Sequence, residues 1–440
     1  MRTIGLILAL SFAPSGFADW KAGAASVVIT PRESIFLAGY GDRTHASVGV
    51  LHELHAKALA LRDETGATTV LVTLDLLGLD RGVADAISGR VLKNYGVPRD
   101  RLALNSSHTH SGPVTGYTLR TAYAMDRTQA DVVASYTDWM IGKVVDVVGS
   151  AIRQLAPATL AFEQGSAGFA VNRRRVQLRH LPGPVDHDVP VLRVQGADGK
   201  LRAVVFTYAC HATVLNNYEI NGDWPGYAQS ELEKTNPGAI AMFVAGCGAD
   251  ANPLPRRSVE LAMKYGQILA NAVDQVLKGR MKPLGGPLKT AFETVDVPFA
   301  KPPSREEFRA RLEDKNPGVR RHAQAMLDIF NRDGKLPDRY PYPVQIWQFG
   351  RDLKLIVLGG EVVVDYALRL RAQYGWDNTW VAAYSNDVFA YIPSLRVLKE
   401  GGYEGGGAMI PYGQPGPFGA AVEEIIVEEV AELVKRTGSL

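Results

Sequence analysis

The sequence predicts a layered α/β domain in which a mixed β-sheet core is flanked by helices. Two observations support this prediction. Apolar, β-rich runs alternate with amphipathic helical patterns along most of the chain. The 440 residues are 46% hydrophobic and 21% charged, which is the composition of a globular protein with a sizeable core. We find no internal repeat and no low-complexity linker, so the length allows one large domain or two ordinary ones.

The predicted elements follow one another in a regular order. The strands are apolar runs of strand length, and they fall at residues 68–80, 101–108, 158–166, 189–196, 201–211, 239–248, 289–299, 343–350, 353–360 and 379–385. The helices show 3.6-residue periodicity with a terminal glycine or an early proline in several cases, and they fall at residues 81–96, 126–155, 225–235 and 256–279 and after residues 361 and 420. A polar helical segment near residues 304–334 is predicted to be an insertion or a lid.

The bulk properties exclude some classes of partner. A net charge of +2 provides no basic field for nucleic acid. No run after residue 20 is long and apolar enough to span a bilayer, so we expect no transmembrane anchor. The remaining class of partner is a small-molecule or lipid substrate.

The N-terminal residues differ from the rest. "MRTIGLILALSFAPSGFADW" combines an arginine, a short apolar core, a Pro-Ser-Gly break and a small residue at Ala18. This pattern predicts a secretory signal peptide over residues 1–18 and export to the periplasm or the medium. The alternative is an N-terminal strand or helix that is retained.

The stretch "NSSHTH" at residues 105–110 places two histidines at the end of a predicted strand, directly before "SGP". In an extended strand, residues i and i+2 point to the same face, so His108 and His110 are expected to project together. Strand ends are where open α/β sheets form clefts. The pair is either two polar residues in a turn or a metal ligand beside a catalytic imidazole.

Three further polar residues lie at strand ends. His211 ends the run "YACH", Glu361 follows "LGG", and Tyr391 lies in the loop after residues 379–385. Two imidazoles, a carboxylate and a phenolate form a nitrogen and oxygen set that suits zinc. Each residue alone also has an ordinary explanation: a core histidine, an acid at a helix N-terminus, or a packing aromatic. Their shared position favours the joint interpretation.

Several blocks resemble the neutral/alkaline non-lysosomal ceramidases, and they occur in the same order from the H-x-H block to about residue 412. "SSHTHSGP" resembles that family's T-H-T-H-S-G-P block, and "VNRR" resembles its N-R-S block. The other similar blocks are "VDHDVPVLRV", "CHATVLNNYEINGDWPGYAQSELE", "GGEVVVDYALRLR" and "SNDVFAYIPS…GGYEG". The resemblance implies the fold of the ceramidase N-terminal catalytic domain, with residues 19–440 forming a single domain.

The resemblance also implies a site. In that family, zinc is held by residues that correspond to His108, His211, Glu361 and Tyr391. The groups that contact the reacting amide correspond to His110, Arg173 and Tyr403. The implied activity is that of an exported, zinc-dependent amidase acting on an N-acyl substrate, of which sphingolipids are one class.

The chain departs from the family pattern at three points. Ala251 in "GCGADANP" stands where the family carries a serine that is often assigned as nucleophile. Val388 replaces the first tyrosine of the N-x-Y-x-x-Y block, and we expect no counterpart of that family's C-terminal immunoglobulin-like domain. Without the serine, zinc-activated water is the expected nucleophile, because zinc lowers the pKa of bound water to about 7. Hydrolysis of an ester or an acylated sugar, or a catalytically inactive metal-binding role, are the alternatives.

Four supporting residues carry open alternatives. Asp223 and Asp250 are candidates to accept hydrogen bonds from the ligating histidines, or they serve only in turns and helix caps. Cys210 and Cys247 each end an apolar run. They form either one disulfide or two buried free thiols, and the free thiols are slightly favoured.

Overall fold

The alternating runs fold into two stacked β-sheets covered by helices, in a computed structural model that describes residues 20–175 and 183–438. The predicted signal peptide at residues 1–18 lies outside the described residues. In chain order the strands are β1 (Trp20–Val28), β2 (Gly49–Val50), β3 (His55–Arg62), β4 (Thr68–Leu74), β5 (Leu102–Ser106), β6 (Ala156–Ser166), β7 (Ala170–Asn172), β8 (Asp188–Gly196), β9 (Leu201–Tyr208), β10 (Glu219–Ile220), β11 (Ile240–Ala245), β12 (Ala251–Pro253), β13 (Lys282–Leu284), β14 (Leu288–Pro298), β15 (Arg339–Phe349), β16 (Leu353–Leu358), β17 (Glu361–Val362), β18 (Thr379–Ala382) and β19 (Tyr391–Ile392).

The helices begin and end close to the positions that the sequence indicates. Asp80 accepts from the Val83 amide at the start of the first helix, and Gly96 in the left-handed conformation ends it. In chain order the helices are α1 (Arg81–Tyr95), α2 (Arg127–Arg153), α3 (Asp223–Thr235), α4 (Val259–Lys278), α5 (Arg305–Arg311), α6 (Pro317–Asp333), α7 (Val364–Tyr374), α8 (Leu395–Glu400), α9 (Met409–Tyr412) and α10 (Val422–Arg436).

The larger sheet is mixed, as the sequence predicts. Its strand order is β11-β9-β8-β6-β1-β3-β4-β5, and β13 also pairs with β6. Only the outermost pairs, β11 with β9 and β4 with β5, are parallel among these strands. Strands β1 and β3, which the sequence analysis did not identify, occupy the centre of this sheet. A second sheet has the order β14-β15-β16-β18.

The two sheets face each other across an apolar layer. Along β16, Leu355 and Val357 lie in this layer, whereas Ile356 and Leu358 point to the opposite side. The continuous apolar run is therefore explained by a strand that is buried on both faces. Trp380 of β18 crosses the layer, because its indole nitrogen donates to the Thr207 hydroxyl of β9 at 2.7 Å.

Helices cover the outer faces. Helix α2 packs on β1 and β3 and α4 packs on β6 and β8, whereas α10 packs on β14 and β15. Helices α5 and α6 occupy the segment predicted to be an insertion or a lid, and they enclose a small apolar cluster around Phe308 and Met326. In the described part of the chain, no helix combines the length and the apolarity needed to cross a bilayer. These layers place the ends of β5, β9, β16 and β18 close together.

Candidate metal centre

The loop that leaves β5 carries both histidines of the H-T-H sequence. The strand ends at Ser106, two residues earlier than predicted, and His108 has a φ of 61°. The expectation that both histidines share one face of an extended strand is therefore wrong, because a positive φ breaks the strand's alternation. The loop still brings the rings together, with 3.1 Å between the Nε2 atoms of His108 and His110.

The other three strand-end residues converge on the same point. Glu361 and Tyr391 are register partners in the parallel β17–β19 ladder, so their side chains lie on one side of it. The Glu361 Oε2 atom lies 3.1 Å from the Nε2 atoms of both His108 and His211. The Tyr391 hydroxyl lies 3.1 Å from His211 Nε2. These four residues, the ligand cluster, are each at most 4% exposed.

Backbone carbonyls orient the two imidazoles. The Nδ1 atom of His108 lies 2.7 Å from the Leu77 carbonyl, and that of His211 lies 2.9 Å from the Gly248 carbonyl. A carbonyl only accepts, so each Nδ1 carries the proton and each Nε2 presents a lone pair to the cluster. Burial, with Arg173 nearby, lowers the pKa of His211 to about 4, which leaves a neutral ring able to bind a metal.

The ligand cluster fits a zinc ion. Glu361 is 3% exposed, so its carboxylate needs a positive partner to remain ionised. Two imidazole lone pairs and a carboxylate oxygen are all acceptors, and at 3.1 Å they repel one another unless a cation lies between them. Ligands about 2.0–2.2 Å from a tetrahedral zinc ion lie roughly 3.3–3.6 Å apart, close to this spacing.

His110 completes a group of three imidazoles whose ligand atoms lie within 4.8 Å of one another. Its Nδ1 atom is buried and has no hydrogen-bond partner in the described part of the chain. Burial and the neighbouring His108 hold the pKa of His110 well below its usual range, so this ring is a neutral base. Tyr40 packs on it at 4.9 Å between ring centroids. Gly39 has a φ of 98°, and a side chain there would come within 2.4 Å of the His110 ring.

Arg173 bridges the ligand cluster and an acidic side chain. Its guanidinium donates to the Tyr391 hydroxyl at 3.0 Å and to Glu404 at 2.6 Å. Burial raises the pKa of Tyr391 well above its usual range, and the Arg173 charge opposes that effect. Arg173 is therefore placed to compensate negative charge on the phenol oxygen. Tyr403 packs edge-on against Tyr391 at 5.3 Å and is 48% exposed, which puts it at the opening of the site.

Sequence reasoning missed two supporting residues of the site, Tyr412 and Glu404. Tyr412 donates a hydrogen bond to the Glu361 Oε1 atom, and both residues are buried. Nothing in the spacing of this tyrosine within a glycine- and proline-rich loop indicates that role. Glu404, in contrast, directly follows Tyr403 in the "GGYEG" block, so its position carried a usable signal.

Asp223 and Asp250 do not accept from the ligating imidazoles. Asp223 accepts from the backbone amides of Leu215 and Trp224, and Asp250 accepts from the amide of Val364. The acceptors for the imidazoles are the two carbonyls described above. Both aspartates therefore hold loops near the site, which is the turn-and-cap alternative for them.

The surroundings of Ala251 contain no activated hydroxyl. The Ala251 carbonyl accepts from the His211 amide at 3.0 Å, and its methyl group is buried. The hydroxyls of Ser107 and Ser111 are buried without a hydrogen-bond partner among the described residues. A nucleophilic serine needs a base within hydrogen-bond reach, and these two have none. Cys210 and Cys247 are buried free thiols, which is the favoured one of the two alternatives.

A model of a known protein family matches residues 20–252, more than half of the chain. Its description is neutral/alkaline non-lysosomal ceramidase, N-terminal. The chain belongs to this family. The matched residues include His108, His110, Arg173 and His211 of the site, whereas Glu361, Tyr391 and Tyr403 lie beyond them and join the site only through the fold.

Curated relatives are also ceramidases. Neutral ceramidase B of Dictyostelium discoideum is 26% identical over 253 residues, which cover 53% of this chain and 35% of that protein. The neutral ceramidase of Drosophila melanogaster is 25% identical over 232 residues, which cover 49% and 32%. The matched part of this ceramidase-family chain thus spans about a third of the length of these relatives.

The fold matches solved ceramidase structures. The neutral ceramidase from Pseudomonas aeruginosa aligns with a TM-score of 0.76 at 19% identity, covering 95% of this chain and 75% of that one. A structure described as ceramidase complexed with C2 aligns with a TM-score of 0.74 at 18% identity, covering 95% and 76%. The predicted fold class is confirmed: a mixed sheet flanked by helices, similar to the ceramidase catalytic domain.

Proposed function

We propose that the protein is an exported, zinc-dependent hydrolase that cleaves the amide bond of an N-acyl, lipid-like substrate. One observation carries the proposal. The side chains of His108, His211, Glu361 and Tyr391 converge from four strand ends, and both imidazoles turn an Nε2 lone pair toward the same carboxylate oxygen. Membership of the ceramidase family and the names of the relatives support the amide as the bond that is cleaved.

A zinc ion held by the ligand cluster supplies Lewis-acid chemistry, which lowers the pKa of a bound water from 15.7 to about 7 and polarises a carbonyl. His110 is placed to take a proton from the attacking water and to return it to the leaving amine, because its ring is neutral and adjoins the cluster. Arg173 balances charge on Tyr391, and the exposed Tyr403 is the group that an incoming amide meets at the opening.

We propose water, rather than a side chain, as the nucleophile. Ala251 has no hydroxyl, and the hydroxyls of Ser107 and Ser111 make no hydrogen bond to an imidazole among the described residues. Attack by water forms no acyl-enzyme, so the reaction is expected to show neither a burst nor acyl transfer to hydroxylamine.

Export and the lipid-like substrate rest on separate support. The N-terminal residues have the composition of a secretory signal, and the curated relatives are named neutral ceramidases. We therefore expect the mature chain to begin near residue 19 when it is expressed in a bacterial host with an export system.

The decisive experiment combines metal analysis with a paired substrate panel. We expect about one zinc per mature chain and hydrolysis of N-acyl amides, ceramide among them, that chelation abolishes and added zinc restores. Turnover of esters with the same acyl chain measures the competing esterase activity. Faster turnover of the esters would contradict the amide assignment. Zinc without turnover of any substrate would indicate a binding protein, and a chain that holds no zinc would overturn the proposal.

A further inference from the structure

The rim of the site, formed by Tyr40, Arg256, Arg257 and Tyr403, carries two guanidinium groups that the reaction described above does not use. Arg257 is exposed, and its guanidinium donates to the Tyr40 hydroxyl at 3.1 Å. Tyr40 in turn packs directly on the His110 ring. A single aromatic ring therefore separates the Arg257 charge from the group that is placed to protonate the leaving amine.

The backbone holds Arg257 in an uncommon conformation. Its φ is 95°, a region that bulky side chains rarely adopt. The Arg257 amide donates to the Val214 carbonyl at 2.8 Å, which fixes the residue beside the loop that carries His211. Residues in such conformations cluster at binding and catalytic sites, where the surroundings hold them in place.

Arg256 brings a second positive charge to the same rim. Burial, repulsion from Arg257 and repulsion from Arg173 all lower the pKa of Arg256, whereas Tyr40 and Asp223 act in the opposite direction. Arg256 is half-buried and directly precedes the exposed Arg257 in the chain, so two guanidinium groups leave the backbone at the same point. Like charges repel, so their accumulation favours a site that receives an anion.

These rim arginines differ from the neighbouring ones in their partners. Arg173 and Arg174 both form ion pairs with Glu404. Arg256 and Arg257 form no ion pair with any residue in the described part of the chain. Asp223, the nearby carboxylate that acts on Arg256, already accepts hydrogen bonds from the backbone amides of Leu215 and Trp224.

A buried cation beneath the rim adds to the same field. Arg43 is 5% exposed and donates to the carbonyls of His110 and Asn217, with no carboxylate partner among the described residues. Hydrogen bonds to carbonyls satisfy its protons but do not neutralise its charge, and a buried charge is screened less than an exposed one.

We propose that Arg256 and Arg257 bind a carboxylate on the amine half of the substrate, so that the preferred substrates are N-acyl amino acids. This inference rests on the proposed amidase function. The geometry assigns the amine half because Arg257 contacts Tyr40, which packs on His110, the group placed to protonate the leaving amine. Guanidinium groups pair with planar carboxylates through two parallel hydrogen bonds, which gives selectivity as well as affinity.

The test compares two substrates that differ in one charge, N-dodecanoylglycine and N-dodecanoylglycinamide. We expect a kcat/KM ratio of at least about tenfold in favour of the acid, falling as salt rises because exposed charges are screened. Arg257→Gln should lower this kcat/KM ratio, and the Arg256→Gln/Arg257→Gln double variant should bring it close to one. The kcat/KM for the neutral amide should change little in both variants. Arg202→Gln, at the opposite end of β9 and paired with Asp198, is the matched control.

The outcomes separate this inference from the function on which it rests. Hydrolysis of the neutral amide as fast as the acid, with no effect of the variants on the ratio, overturns the carboxylate site and leaves the amidase intact. Failure to hydrolyse either of these amides or any other N-acyl amide, ceramide included, rejects the amidase. Calorimetric titration of N-dodecanoylglycine into the zinc-loaded protein then decides the carboxylate site: binding that the paired variant weakens tenfold supports it, and equal binding of both compounds refutes it. If the Arg256→Gln/Arg257→Gln variant does not fold, the single Arg257→Gln variant is used in its place.

Discussion

The floor and the rim of the site differ in burial and in the partners of their charged groups. The floor is the ligand cluster, where all four side chains are at most 4% exposed and each contacts another member. At the rim, Arg257 and Tyr403 are exposed and Arg256 and Tyr40 are half-buried, and neither arginine has an acidic partner in the described part of the chain. Buried polar groups depend strongly on their partners because the surroundings screen weakly, whereas exposed charges act through water. We therefore expect the floor to set whether any reaction occurs and the rim to set which substrate reacts.

Substitutions in the floor and in the rim are expected to have different effects on the range of substrates. Losing a floor residue leaves the remaining ligands without their shared partner, so all substrates should be affected alike. Losing a rim charge changes one contact at the surface, so only the ratio between substrates should change. Substitutions of floor residues and of their neighbours test this difference between floor and rim.

The largest effect is expected at His108. His108→Ala removes an imidazole whose orientation is fixed by the Leu77 carbonyl, and we expect zinc and all activity to be lost together. Metal content and turnover of both N-acyl amides and esters are the measurements. His322→Ala is the control, since His322 is also buried but its one hydrogen-bond partner among the described residues is the Gln414 carbonyl just after α9. Retention of zinc by His108→Ala would break the assignment of the floor.

A smaller effect is expected at His110, which adjoins the ligand cluster without being assigned to it. His110→Ala should retain zinc and lose rate on the order of 10²-fold or more, because the ring acts on protons rather than on the metal. The metal content and kcat of the same preparation are compared. If His110→Ala releases zinc as readily as His108→Ala, the two histidines share one role and the assignment is wrong.

Tyr412 tests how far the floor extends. Tyr412→Phe removes the hydrogen bond to Glu361 Oε1, and we expect zinc affinity to fall on the order of 10-fold. Competition with a chelator of known affinity measures this. Tyr384→Phe is a matched control, because Tyr384 packs on the His108 ring at 4.4 Å but its buried hydroxyl has no partner among the described residues. Equal zinc affinity in Tyr412→Phe and the unmodified protein would place Tyr412 outside the floor.

The smallest effect on rate is expected at Ala251. Ala251→Ser should leave the rate little changed, because water is expected to remain the nucleophile and the block "GCGADANP" around Ala251 differs from that of the family. A hydroxyl placed in this buried position without a partner is expected to lower the free energy of unfolding by about 1–3 kcal/mol. Kinetics with N-acyl amides and ceramide, together with thermal melts, are the measurements. A large gain in ceramide hydrolysis would show that the floor is a serine-dependent site lacking one residue.

The sequence by itself determined the class of fold and the identity of the cluster. Helix boundaries such as those of α1 and α2 follow from caps and periodicity, which are local properties. The residues of the ligand cluster were identified because strand ends with histidine, glutamate and tyrosine matched a known order of motifs. The central strands β1 and β3 were missed, since their alanine-rich runs carry little contrast between apolar and polar positions.

Only the tertiary structure decided how those residues meet. His108 lies in a left-handed turn, which no local pattern predicts. The carbonyls that orient the imidazoles of His108 and His211 are 31 and 37 positions away from them in the sequence. The Tyr412 bond to Glu361 spans 51 positions, and the approach of Arg257 to Tyr40 spans 217. Local patterns in a sequence record the preferences of neighbouring residues. Contacts between distant loops depend instead on how the two sheets stack, because that packing alone fixes which strand ends share one buried space.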